Sequence, residues 1–113
     1  MYHQNFNEND WKLFRQKVPE WQEAYIDRRN KEYIQLLCES AAPSDKFWRL
    51  EKQIKTDRNK AGVCLDMRRS MMIENLIQLI YEGVISFADL DGFSAELRER
   101  VRCVFRNRSD DLN

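Results

Sequence analysis

Apolar residues recur at helical spacing along most of the chain, and the densest run lies between Leu65 and Ile85. At about 100° per residue, this segment has one broad apolar face and only a narrow polar strip. The apolar face comprises Leu65, Met72, Ile73, Leu76, Leu79 and Ile80. Such a helix belongs in a protein centre. The pattern therefore predicts a central helix, ended by Gly83, against which the other elements pack.

A second apolar pattern begins near residue 10 and predicts a long first helix over residues 10–39. Large side chains follow a three–four spacing along one seam of this helix, at Trp11, Phe14, Val18, Trp21 and Tyr25. Asn9 or Asp10 is positioned to cap its start. Pro19 removes a backbone hydrogen bond, so it either kinks this helix or separates it into two. Because the seam keeps its phase across Pro19, a single kinked helix is favoured.

The next segment predicts a helix that follows the sequence AAPSD. Ser44 is a good N-cap for a helix starting at Asp45, and Gly62 is the natural left-handed residue after its end. One side of this helix carries apolar residues, which are Phe47, Leu50, Ile54 and Ala61. Trp48 points away from that side. It therefore either covers the end of a neighbouring helix or lies at an interface.

The last part of the chain predicts a short turn and a final helix. The sequence Ser86–Asp89 resembles a capping box and indicates a short helical turn near residues 87–90. Ser94 is positioned to cap a helix over residues 95–106. The buried stripe of that helix comprises Leu97, Val101, Val104 and Phe105.

No alternating run of β-branched residues indicates a strand. The fold class that follows is all-α, an antiparallel bundle of about four helices with a long, Pro19-kinked first helix and a short extra turn near 87–90. The length of 113 residues fits one domain over residues 1–113. Residues 1–8 and 107–113 carry no apolar period, so both ends are predicted to fray.

The amino-acid composition limits the kinds of site that the sequence predicts. Basic and acidic residues balance to a net charge of zero, which argues against strong non-specific attraction to polyanions. Cys38, Cys64 and Cys103 are widely spaced and the single histidine is His3, so reduced thiols are expected and no metal site. No catalytic carboxylate spacing, phosphate-binding glycine loop or serine elbow is present. The sequence therefore predicts a protein that is not an enzyme and binds no cofactor.

The N-terminus lacks the basic start and apolar run of a signal peptide. The central helix is the most apolar segment, but charged residues interrupt it well short of the ~18 uncharged residues that a membrane helix needs. We therefore expect a cytoplasmic protein without membrane contact.

Arg69 falls near the middle of the apolar face of the central helix, where a buried charge requires a partner. The simplest interpretation is that it reaches water or a carboxylate such as Asp66, Glu32 or Asp57. An anion or ligand site and a contact with another chain are the alternatives.

One flank of the last helix carries a basic stripe, formed by Arg98, Arg102 and Arg106. Glu96 and Glu99 lie between these arginines and lower the local positive field. A solvated helix face is the ordinary interpretation, and contact with a nucleic acid is the alternative.

The first helix carries the strongest functional signal. Thirty residues of helix span about 45 Å at 1.5 Å per residue, whereas a compact chain of this size has a radius of gyration near 13 Å. The helix therefore overhangs its domain, and the apolar residues on the overhang need cover. A homodimer paired through this helix satisfies that need. The interface candidates are Trp11, Phe14, Trp21, Tyr25, Tyr33 and Trp48.

Three stretches carry a resemblance to a known family: DWKLFRQKVPEWQEAYIDRRNKEYIQLL, PSDKFWRLEKQIKTDRNKAGV and EGVISFADLDGFSAELRE. From Asp10 to about Arg100 the chain resembles a family of short bacterial all-helical proteins of uncharacterised function. Some members carry a drug-transporter label, which the lack of membrane spans here contradicts. The resemblance implies a bacterial, cytosolic setting and supplies no catalytic or binding residue.

These observations together favour a small helical interaction or regulatory module that self-associates through its first helix and binds a protein partner of unknown identity. An accessory nucleic-acid-binding protein that uses the basic stripe of the last helix is the alternative.

Overall fold

The computed structural model describes residues 7–112, with side chains described for residues 7–108. Within that range the chain is all-α and contains no strand, which confirms the predicted fold class. The helices are α1 (Glu8–Cys38), α2 (Pro43–Asp57), α3 (Met72–Tyr81) and α4 (Ala95–Leu112), and short 3-10 turns cover Arg69–Met71 and Phe87–Leu90. Of the start predicted to fray, residues 1–8, the part that includes His3 (residues 1–6) lies outside the described residues, whereas Asn7 caps α1 and Glu8 begins it, so the prediction is wrong there.

Helix α1 runs through Pro19 without a break. Pro19 is exposed, so water can satisfy the carbonyl that loses its partner, while the neighbouring Val18 stays buried and keeps its phase. The cap lies earlier than predicted. Asn7, rather than Asn9 or Asp10, accepts a hydrogen bond from the backbone N–H of Asp10 at 2.8 Å.

Helix α2 differs from its prediction at both ends. It begins at Pro43 and its cap, Ala42, makes no side-chain hydrogen bond, so Ser44 is not the N-cap. A proline suits the first turn because its missing N–H has no helical partner there. Gly62 has no positive φ, and its role is instead to allow close packing. A Cβ built on Gly62 would collide with the ring of Tyr25.

The central helix is shorter than predicted, because residues Leu65–Arg68 lie outside any helix. The Asp66 carboxylate accepts hydrogen bonds from the backbone N–H and the guanidinium of Arg68, and the Asp66 carbonyl accepts one from Asn75 at 2.8 Å. The bonds between Asp66 and Arg68 are local and compete with helix formation. Gly83 ends α3 with a φ of 76°, as predicted.

The 3-10 turn before α4 and the start of α4 each confirm a prediction, and α1 makes a further contact with the start of α4. Ser86 and Asp89 form the predicted capping box, and the hydroxyl of Ser94 accepts a hydrogen bond from the Leu97 N–H at 3.2 Å. The buried Asp10 of α1 in turn accepts a hydrogen bond from the Ser94 N–H at 2.8 Å. Helix α4 continues to Leu112, past the predicted end at residue 106, because no glycine or proline stops it.

The buried apolar core lies where α3 and α4 pack against the first half of α1. Its fully buried large side chains are Phe14, Leu76, Ile77, Leu79, Leu90, Leu97 and Val101. We call this part of the molecule the body. The second half of α1 packs against α2 beyond it, and we call this helical hairpin, residues 26–57, the arm. The radius of gyration over Cα atoms is 17.0 Å, against about 13 Å for a compact chain of this length, so the chain is elongated.

Candidate interaction surfaces

The aromatic residues at the start of α1 belong to the body. Phe14 is completely buried, which removes it from the set of surface candidates. The Trp11 ring stacks on Phe14 with centroids 5.9 Å apart and is half-buried. The three–four spacing of large apolar residues here is therefore explained by the core of the same chain, and not by a second chain.

Trp21 and Tyr25 are also engaged within the chain. Trp21 is half-buried, and its ring centroid lies 6.4 Å from that of Phe93, which precedes α4. Tyr25 covers Gly62, and burial raises the pKa of its hydroxyl. Nearby, Arg28 donates a hydrogen bond to the Gly83 carbonyl at 3.2 Å, just past the end of α3.

A polar cluster around Asp57 joins the two helices of the arm. Asp57 is the only buried residue of α2, with 5% of its surface exposed. Its carboxylate accepts hydrogen bonds from Tyr33, from Arg29 at 3.0 Å and from Gln53 at 3.2 Å. Burial alone would raise the pKa of Asp57, but these three donors outweigh it and lower the pKa. Tyr33 therefore serves the arm as a hydrogen-bond donor.

The arm leaves its large apolar side chains in solvent. Phe47 is 60% exposed and Trp48 is 63% exposed, and the two rings pack edge to face with centroids 4.8 Å apart. The other exposed apolar residues of the arm are Ile34, Leu37 and Ile54. Of the six predicted interface residues, Trp48 is the one that the structure leaves exposed. The predicted apolar side of α2 is real, but Phe47 and Ile54 face solvent instead of a core.

Helix geometry places four of these residues on one side of the arm. On α1, Ile34 and Leu37 lie about 160° around the helix from Phe14 and Trp21, which face the body. On α2, Phe47 and Ile54 share one flank, about a quarter turn from Asp57, which faces α1. Because α1 and α2 run antiparallel, both pairs project on the side away from the body. We call Ile34, Leu37, Phe47 and Ile54 the arm face.

Arg69 is not a buried charge. It lies in the 3-10 turn before α3, off the apolar face of that helix, and its side chain is 47% exposed. Its guanidinium donates to the Glu8 carboxylate and lies 5.8 Å from the centroid of the Trp11 ring. Arg69 therefore has a carboxylate partner, which is Glu8 and not Asp66, Glu32 or Asp57.

The basic stripe of α4 lies beside aromatic rings. The guanidinium carbon of Arg102 is 5.6 Å from the centroid of the Phe87 ring. Phe105 packs edge to face on Phe87 at 5.3 Å, and Tyr81 packs on Phe105 at 6.1 Å. The sequence pattern identified the arginines of this surface. It missed the rings, because they come from three separate elements.

Residues 7–112 contain no helix that is long and apolar enough to cross a membrane. Among the described side chains, no group of three or more histidine, cysteine, aspartate or glutamate residues is arranged to hold a metal ion.

No family model matches the chain, and comparisons with curated proteins and with solved structures found no match either. A functional assignment therefore depends on the two surfaces described above, the arm face and the basic stripe of α4.

Proposed function

We propose that this protein is a helical interaction module whose arm pairs with the arm of a second copy. The observation that carries the proposal is the arm face, where four large apolar side chains project together into solvent on the side away from the body. Water-exposed apolar groups of this size are stabilised by burial, and they mark interaction sites when they are contiguous.

The exposed apolar area is suited to a dimer interface. An aromatic side chain buries roughly 150–250 Å², so Phe47 and Trp48 at about 60% exposure together offer on the order of 240 Å². The exposed parts of Ile34, Leu37 and Ile54 add to this area. A standard interface buries about 800 Å² per partner, a little over half of it apolar. The arm face, with Trp48 packed at its edge, therefore supplies a substantial part of the apolar area that one partner of a stable pair contributes.

Charge favours a second copy over a strongly charged partner. The two helices of the arm carry nearly equal numbers of basic and acidic residues, and several of these pair locally, such as Lys31 with Asp27 and Lys55 with Glu51. Two such arms do not repel each other. A face-to-face pair of two-helix arms makes a four-helix bundle with a shared apolar interior. An isologous pair is also the commonest oligomer.

The proposal also covers how the protein acts and in which compartment. It acts by binding and without catalysis or a cofactor, in the bacterial cytoplasm that the family resemblance implies. The three cysteines, Cys38, Cys64 and Cys103, are free and exposed, which fits a reducing compartment. An unrelated protein that occupied the arm face of a monomer would contradict the choice of partner.

Light scattering on a gel-filtration peak tests the proposal. We expect the wild-type protein to have the mass of two chains at micromolar concentration. The double variant Phe47→Ser/Ile54→Ser should have the mass of one chain, because it removes apolar surface from the centre of the paired arms. Its unfolding free energy as a monomer should change by less than about 0.5 kcal/mol, since both side chains are exposed.

The matched control removes apolar surface from the body. Met67→Ser/Tyr81→Ser replaces two other exposed apolar residues outside the arm, and this variant should remain dimeric. A wild-type protein that stays monomeric over the whole concentration range would refute the proposal. Equal dissociation of both double variants would also refute it, because the interface would then not be specific to the arm.

A further inference from the structure

The surface between α4 and the end of α3 combines arginine side chains with aromatic rings. From its arrangement we infer that this surface binds single-stranded nucleic acid. We call it the arginine–aromatic face, and it comprises Tyr81, Phe87, Arg98, Arg102 and Phe105. It belongs to the body, so the inference does not depend on pairing of the arms.

The rings form one continuous group across three elements. Phe105 of α4 lies between Phe87 and Tyr81, with centroid distances of 5.3 Å and 6.1 Å and edge-to-face packing. Tyr81 is 57% exposed, so part of its ring is free to stack on another planar group. Unpaired bases stack on exposed aromatic rings of this kind whatever their sequence.

The arginines supply the charge that a phosphate backbone needs. Arg98, Arg102 and Arg106 recur every four residues and so lie along one line of α4, about 6 Å apart along the helix axis. The guanidinium of Arg102 already lies over the Phe87 ring, which aligns a cation with the aromatic group.

The carboxylates of this region lower the positive field of the face but do not pair with its arginines. On the α4 wheel, Glu96 lies about 160° from Arg98, whereas Glu99 lies about 60° from Arg102. The Asp89 carboxylate accepts the hydrogen bond from the Ser86 N–H at 2.8 Å, which holds it against the short turn. Among the described side chains, no carboxylate forms an ion pair with Arg98, Arg102 or Arg106, so the stripe keeps three positive charges although the net charge of the protein is zero.

The geometry favours a single strand over a duplex. The segment between α3 and α4 spans residues 82–94, whereas a helix-turn-helix uses a turn of about 3–4 residues. No recognition helix is therefore presented to a major groove. In a duplex the bases are stacked on each other, and only unpaired bases offer their faces to rings such as Tyr81.

Fluorescence anisotropy with a labelled oligo-dT strand, repeated over a range of salt concentrations, tests the inference. We expect Tyr81→Ala to raise the Kd about five-fold or more, while Tyr81→Phe keeps the wild-type value. Arg102→Gln should lower the slope of log K against log salt by about 0.7, because one phosphate contact is lost.

Arg100→Gln is the matched control for Arg102→Gln. Arg100 is an exposed arginine on the opposite side of the same helix, about 160° from Arg102, and its loss should leave the slope unchanged. The inference is overturned if both arginine variants behave alike, if the wild type shows no anisotropy change at low salt, or if polyglutamate competes as well as the oligonucleotide. Far-UV circular dichroism verifies that each variant is folded.

Discussion

The body and the arm are both helical, but different forces hold them together. In the body, apolar side chains from α1, α3 and α4 bury one another completely, as Phe14, Leu76 and Leu97 illustrate. In the arm, α2 buries no apolar residue, and its contact with α1 centres on the carboxylate of Asp57. The large apolar residues Phe47, Trp48 and Ile54 of α2 are exposed to solvent, and Leu50 is only half-buried.

Because of this difference, we expect the body to provide most of the stability of the chain and the arm to provide its interaction surface. Burial of apolar surface stabilises the body within a single chain. A polar cluster contributes less, because its hydrogen bonds replace bonds to water that the open state also makes. The arm should therefore open before the body unfolds. The apolar surface of the arm stays exposed in a single chain, so its burial can stabilise a complex.

Truncation of a core leucine should have the largest effect on stability. Leu76 is fully buried in α3, so Leu76→Ala removes apolar contacts and leaves a cavity. We expect a loss of about 3–4 kcal/mol in the unfolding free energy, measured by urea denaturation. The matched arm variant Leu50→Ala, at a half-buried position, should cost much less. Equal costs would remove the distinction between body and arm.

Loss of the Asp57 carboxylate should open the arm without unfolding the body. Asp57→Ala removes the acceptor shared by Tyr33, Arg29 and Gln53, at an expected cost of about 2–3 kcal/mol in the local stability of the arm. Amide hydrogen exchange should quicken in α2 and stay slow in α3. Uniformly faster exchange would mean that arm and body unfold as one unit.

Acid should weaken the arm selectively, with a smaller effect on its stability than the loss of the Asp57 carboxylate. The pKa of Asp57 is lowered in the folded protein from its ordinary value of 3.8, so its stabilising contribution is complete above that value. The contribution is lost as the pH falls through the folded pKa. NMR spectra of α2 recorded below pH 4 should show this opening before signals of α3 change. In Asp57→Asn the acid response should be reduced, because the titrating group is gone.

The sequence located the helices better than it located their ends. Apolar spacing predicted α1 through Pro19, and glycine chemistry predicted the stop at Gly83. The cap at Ser94 and the box at Ser86–Asp89 were also predicted correctly, because each depends on residues close in the chain. The first turns of the central helix were placed wrongly, since Asp66 forms a local turn with Arg68 that an apolar period does not reveal.

The candidate surfaces were less predictable. The arginines of α4 and the overhang of α1 could be identified from spacing and length. The spacing does not show which end of α1 projects from the body, and for that reason it predicts Phe14 and Trp21 as interface residues. The partner of Arg69, the contact of Asp10 with Ser94 and the rings beside Arg102 join residues that are distant in the chain.

The sequence by itself determined that this protein is helical and where most of its apolar residues lie, because helix periodicity and capping act over a few residues. Only the tertiary structure decided which apolar stripe is buried and which is exposed. The apolar residues of α2 and those of α4 both have helical spacing. Those of α4 pack against α3, whereas Phe47 and Ile54 of α2 project into solvent. Burial depends on contacts between distant segments, and a local pattern does not specify them.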